Sequence, residues 1–71
     1  TKVPRRALVL GAGTGNDVAV LLDAGVSEVH AVEIDPVILE IGRKSHPARP
    51  YDDSRVTIHN TDARAFLENT E

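Results

Sequence analysis

Ala7-Leu8-Val9-Leu10-Gly11-Ala12-Gly13-Thr14-Gly15-Asn16 is the stretch that decides the fold. Four apolar residues in a row, closed by glycines, suit a short strand buried on both faces, as in a parallel sheet. From Asn16 the period changes, and Val18, Leu21 and Leu22 fall at i, i+3 and i+4 on one face of a helix. Asp17 stands in the first turn of that helix, where its charge suits the helix dipole, and Gly25 stands where a helix commonly stops. A strand that passes through a glycine-rich turn into a helix is the opening of a β-α unit.

Outward from this stretch the same alternation repeats. Glu28 to Glu33 reads as a second strand, with Val29, Ala31 and Val32 as its apolar residues. Asp35-Pro36 joins an N-cap side chain to a proline at the first helical position. Ile38 and Ile41 share a face of the helix that follows, and His46-Pro47 closes it. Gly42 inside that helix costs about 1 kcal/mol relative to Ala, which a close approach to the sheet would explain. Ala48 to Ser54 reads as a loop, Val56 to His59 as a third strand, and Asp62 as the cap of a last helix with an apolar stripe of Ala63, Phe66 and Leu67. The order β-α-β-α-β-α predicts an α/β fold: a truncated Rossmann-like βαβαβα with a parallel sheet of three strands, forming one partial domain over residues 1–71. Right-handed crossovers place every strand-to-helix turn at the carboxyl edge of the sheet. Gly11–Gly15, Glu33–Asp35 and Asn60–Ala63 should therefore line one rim, where ligands bind in open α/β sheets.

Composition narrows the function. The chain has 71 residues, 41% hydrophobic and 27% charged, a globular balance in which one Tyr and one Phe leave the core to aliphatic residues. The formal net charge is −3, and the basic pairs Arg5-Arg6 and Arg43-Lys44 have no aromatic residues interleaved, so the footprint of a nucleic-acid binder is missing. The absence of cysteine excludes disulfides, thiolate metal sites and a Cys nucleophile. The longest apolar run, Val18 to Leu22, is too short to span a bilayer, and the start carries no signal-peptide pattern. The expectation is a soluble, cytoplasmic protein. Its opening at Thr1 rather than Met reads as that of a processed or excised piece.

The three turns carry the chemistry. Glycines in the first let a ligand approach the backbone closely, and the helix behind them aims unpaired N–H groups at it. A dinucleotide fingerprint counted from Gly11 would place its third glycine at Asn16, so the spacing here is G-x-G-x-G, which weakens NAD without excluding it. A P-loop would need Lys followed by Ser or Thr, and the turn has neither pair. Glu33 stands about 20 residues beyond the glycines, where an acid reaches a ribose and one carboxylate can accept from two hydroxyls. Asp35 is better explained as a helix cap. In the third turn, Asp62 could accept from an adenine amino group while the Ala63 N–H donates to a ring nitrogen. Capping the next helix is compatible with that role, because the two carboxylate oxygens accept separately. His30, His46 and His59 have no ligand spacing, and Asp52-Asp53 reads as a solvated loop at the mouth of the site rather than a metal site.

Val9-Leu10-Gly11-Ala12-Gly13-Thr14-Gly15, Val32-Glu33-Ile34-Asp35-Pro36 and Thr61-Asp62-Ala63 resemble successive motifs of the class I S-adenosylmethionine-dependent methyltransferase superfamily. More narrowly, the Val-Glu-Ile-Asp-Pro turn, Asp53-Ser54-Arg55-Val56 and Asp62-Ala63-Arg64-Ala65-Phe66-Leu67 are similar to spermidine synthases and their relatives. The resemblance implies S-adenosylmethionine or decarboxylated S-adenosylmethionine as the ligand. It implies that Gly11, Ala12, Gly13, Thr14 and Gly15 pack against its amino-acid or aminopropyl part, and that Glu33 holds the ribose hydroxyls. Ile34 would lie on the adenine face, and Asp62 with the Ala63 backbone would read the adenine edge. Spermidine synthases usually carry an Asp in the glycine loop where this chain has Thr14, and their catalytic Asp follows a fourth strand that this sequence does not reach.

Every motif found binds a donor, and none activates an acceptor, whose identity stays open. No catalytic residue and no metal ligand is assigned. Three readings follow: part of a methyl- or aminopropyl-transferase, a Rossmann-like module that binds NAD or an adenosyl ligand, and an orphan fragment inactive alone. In the family's sheet the first strand is central, between the second and the fourth. Without a fourth, Ala7–Leu10 presents an unpaired edge, and the expectation is a homodimer or a swapped oligomer through it.

Overall fold

The computed structural model describes residues 5–68. Along them run β1 (Arg6–Leu10), α1 (Asn16–Asp23), β2 (Glu28–Val32), α2 (Pro36–Ser45), a single 3₁₀ turn (Pro50–Asp52), β3 (Val56–His59) and α3 (Ala63–Glu68). The strands pair in parallel in the order β1-β2-β3, with Val9 opposite Ala31 and Ala31 opposite Ile58. This is the Rossmann-like α/β arrangement that the alternating pattern predicts.

Local chemistry sets the helix ends. The Gly25 N–H donates to the Leu22 carbonyl and the Val26 N–H to the Leu21 carbonyl, a paired closure that needs the positive φ of 96° at Gly25. The Asp35 carboxylate accepts from the Val37 and Ile38 N–H groups at 2.9 and 3.4 Å, and Pro36 begins α2. The Asp62 carboxylate accepts from the Ala65 N–H at 2.7 Å and caps α3.

Strands laid in the order 1-2-3 by right-handed crossovers carry α1 and α2 on the same face. That face holds the core: Val9, Val29 and Ala31 of the sheet are buried together with Val18 of α1, Val26, Leu39 of α2 and Tyr51. Leu21 and Leu22 pack against them, as their spacing predicts.

The other face differs from expectation. Leu8 and Leu10 alternate away from the core and are 44% and 46% exposed, so β1 is not buried on both faces. The reason is topological, because among the described residues only α3 reaches that side, and it does so locally. The Phe66 ring meets His59 edge-on at 4.6 Å, while Leu67 is exposed and leaves the α3 stripe narrower than predicted. A concavity of about 480 Å³ lies beside Phe66, lined by Leu8, Glu28 and His30. Two further expectations are corrected. In α2 it is Leu39 and Gly42 that are buried, while Ile41 is exposed. The segment read as a loop over Ala48–Ser54 contains the 3₁₀ turn, with Pro50 and Tyr51 buried.

Candidate functional site

The three turns meet on one rim, held by backbone bonds. The Ala12 N–H donates to the Val32 carbonyl at 3.0 Å, tying the glycine loop to the end of β2, and the Glu33 N–H donates to the His59 carbonyl at 3.0 Å, tying β2 to the end of β3. Two glycines are required by close approach. Gly15, at φ 103°, is the residue before α1, and a Cβ there would lie 2.7 Å from Pro50 Cγ. A Cβ on Gly42 would lie 2.5 Å from the Thr14 carbonyl oxygen. The nearest neighbour that demands a glycine in α2 is therefore the glycine loop and not the sheet.

Glu33 is only 8% exposed, and its carboxylate joins two turns. Oε1 accepts from the Gly13 N–H at 2.8 Å and Oε2 from the Asp35 N–H at 3.1 Å. Each oxygen keeps one acceptor site. The Asn60 side-chain amide donates to the carbonyls of Glu33 and Ile34 at 2.9 and 3.1 Å, clipping the third turn to the second. The Tyr51 hydroxyl donates to the Gly13 carbonyl at 2.6 Å from below the loop. Burial, reinforced by the nearby charge of Glu33, raises the Tyr51 pKa above its ordinary value, so the hydroxyl stays protonated and able to donate.

Of the residues singled out from sequence, Gly11, Thr14, Ile34 and Asp62 are exposed along this rim, with Ile34 at 63%. Ala12 and Gly15 are buried beneath it, and Gly13 is half-buried. Ala63 opens α3, where a backbone N–H has no partner within the helix. The rim thus offers a carboxylate with spare acceptor sites, an exposed aliphatic side chain, a second carboxylate at a helix start, and the Ala63 N–H, which has no partner within its helix. Thr14 adds an exposed, neutral hydroxyl to the loop.

Tyr51 and Asn60 were missed as site residues by sequence reasoning. The one usable signal was a lone aromatic, Tyr51, in an otherwise polar stretch. Asp52 and Asp53 are not at the mouth of the site. Asp52 pairs with Arg49 at 2.8 Å, and Asp53 faces Arg55 at the amino end of β3, opposite the rim. The forked hydrogen bonds from Arg55 lower the Asp53 pKa to about 2. The same guanidinium reaches the Leu22 and Val26 carbonyls. His46 Nε2 lies 2.9 Å from Asn16 Oδ1, and His30 and His59 meet across the open face at 2.9 Å between ring nitrogens. Among the described residues no group of three or more His, Cys, Asp or Glu side chains is placed to hold a metal ion.

The spermine/spermidine synthase domain matches the sequence over residues 1–71. The chain belongs to this family. It is 35% identical over 69 residues to spermidine synthase 1 of Hyoscyamus niger, a match over 93% of this chain and 22% of that protein. It is 30% identical over 69 residues to the polyamine aminopropyltransferase of Thermoplasma acidophilum, over 94% of this chain and 25% of that protein. Putrescine N-methyltransferase 4 of Nicotiana tabacum is 34% identical over 68 residues, 92% of this chain and 18% of that protein. The chain therefore spans between 18% and 25% of the length of these relatives. Among solved structures, a spermidine synthase in complex with the transition-state analogue AdoDATO superposes with a TM-score of 0.84 at 22% identity, over 97% of this chain and 25% of that one. That likeness establishes the fold: the family's Rossmann-like sheet with its helices.

Proposed function

We propose that this chain is the donor-binding portion of a methyl- or aminopropyl-transferase and takes S-adenosylmethionine or its decarboxylated form. The observation that carries the reading is the joining of three family turns on one rim by Glu33 and Asn60. In this reading the remaining acceptor sites of Glu33 receive the ribose hydroxyls, and the exposed Ile34 lies on the adenine face. Asp62 accepts from the adenine amino group while the Ala63 N–H donates to a ring nitrogen. Gly11 through Gly15 take the sulfur side of the ligand, where the missing Cβ atoms let it approach the backbone.

Transfer from a sulfonium is an in-line displacement, in which a protein chiefly aligns donor and acceptor and removes a proton from the attacking amine. The rim does the first of these for the donor alone. Thr14, a neutral hydroxyl in the loop, gives no counter-charge to an aminopropyl ammonium, which favours a donor that brings its own carboxylate. Titration calorimetry with S-adenosylhomocysteine, decarboxylated S-adenosylmethionine and NADH tests the reading. Both sulfur ligands should bind and NADH should not, with S-adenosylhomocysteine the tighter of the two. Binding of NADH alone would overturn it.

We propose also that two copies associate through the outer edge of β1. In support, β1 pairs with β2 on one side and with no strand on the other among the described residues, and Leu8 and Leu10 are exposed beside that edge.

A further inference from the structure

Gly13 is held from two directions. Its N–H donates to Glu33 at 2.8 Å, and its carbonyl accepts from Tyr51 at 2.6 Å. The second contact joins residues 38 apart in sequence, and it comes from a side chain only 5% exposed. The same aromatic ring also backs the loop sterically, since a Cβ on Gly15 would meet Tyr51 Cε2 at 3.4 Å. Without the hydroxyl, the Gly13 carbonyl would lose its partner and the peptide unit could turn at little cost. Gly13 is at φ 60° and its two loop neighbours on either side are a glycine-flanked alanine and Thr14, so no side chain of its own restrains it.

A ligand-binding loop whose geometry is fixed beforehand binds more tightly, because less freedom is lost on binding. We propose that Tyr51 is a positioning residue for the adenosyl donor: acting through the Gly13 carbonyl, it holds the glycine loop in the shape the donor meets. This rests on the donor-binding reading above. Tyr51 lies beneath the loop on the core side, so in this role it acts through the loop and not on the donor directly. Its phenol is suited to the task because burial keeps it protonated, and because donation to a backbone carbonyl leaves both Glu33 oxygens able to accept from ribose.

Tyr51→Phe removes only the hydroxyl and keeps the ring under Gly15. Calorimetry of the chain with S-adenosylhomocysteine should show affinity about five- to tenfold weaker, the scale of one buried hydrogen bond. Amide exchange at Gly13 and Gly15 should accelerate by about the same factor, while exchange within β2 stays at the wild-type rate. Arg55→Lys is the control for lost stability, since it loosens the fork at the far end of β3. It should lower the melting temperature and leave both affinity and loop exchange unchanged. If Tyr51→Phe binds as the wild type does, or if Arg55→Lys weakens binding equally, the positioning role is overturned. If the wild-type chain itself does not bind S-adenosylhomocysteine, the donor-binding reading fails and this one with it.

Discussion

The two faces of the sheet are built from the same strands and have opposite fates. On the helix-covered face Val29 and Ala31 are fully buried, and Arg55 fixes the turn before β3 to the end of α1. On the other face Arg6 pairs with Glu28 at 3.2 Å, Glu28 with His30 at 2.6 Å, and His30 with His59 at 2.9 Å, beside half-exposed leucines. One face is held by packing, the other by a row of titratable groups. Apolar residues in a strand therefore do not ensure a covered strand. Coverage is set by which side the crossovers return on.

The sharpest way to break this contrast is a matched pair of truncations. Val29→Ala should lower stability by about 2–3 kcal/mol, two buried methyl groups plus the cavity they leave, whereas Leu8→Ala should cost under about 1 kcal/mol. Urea unfolding followed by circular dichroism compares the two. Equal losses would mean that the open face is covered in solution.

Acid should sharpen the contrast next. Burial and the neighbouring His30 lower the His59 pKa. Between the folded value and the ordinary value of about 6.5 the unfolded chain binds more protons, so stability from this group is full above about 6.5 and is lost as pH falls. The ring contact explains the sense: one of the two facing nitrogens must accept, so the pair cannot carry two full charges without parting. Arg6, Glu28 and Phe66 are the other side chains that face the pair. Glu28, lowered chiefly by its hydrogen bond to His30, adds a loss below the ordinary carboxylate range. Asp53 belongs to the opposite region, and its contribution is full above the ordinary value of 3.8 and is lost as pH falls from there to about 2. Melting temperatures should therefore fall first between about pH 7 and 5, and His59→Phe should flatten that step while leaving in place the later loss between 3.8 and about 2.

The smallest energetic effect should come from the edge. Leu8→Lys with Leu10→Lys places charge beside β1 and should change stability by under about 1 kcal/mol. In sedimentation the wild type should run as a dimer and the double variant as a monomer. A wild type that stays monomeric at high concentration would remove the proposed association.

What the sequence determined by itself is local. Asp35, Asp62 and Gly25 end their helices through bonds to residues two to three positions away, so the turns, the strand order along the chain and the rim were legible from spacing alone. The partnerships across the chain came from the three-dimensional fold: Tyr51 under Gly13, Glu33 on the Gly13 N–H, Gly42 against Thr14, and His30 beside His59. Those pairs lie 20 or more residues apart, and nothing in either residue's own neighbourhood names the other. The open face belongs with them. It follows from the hand of two crossovers acting on a whole sheet, a property that no single segment carries.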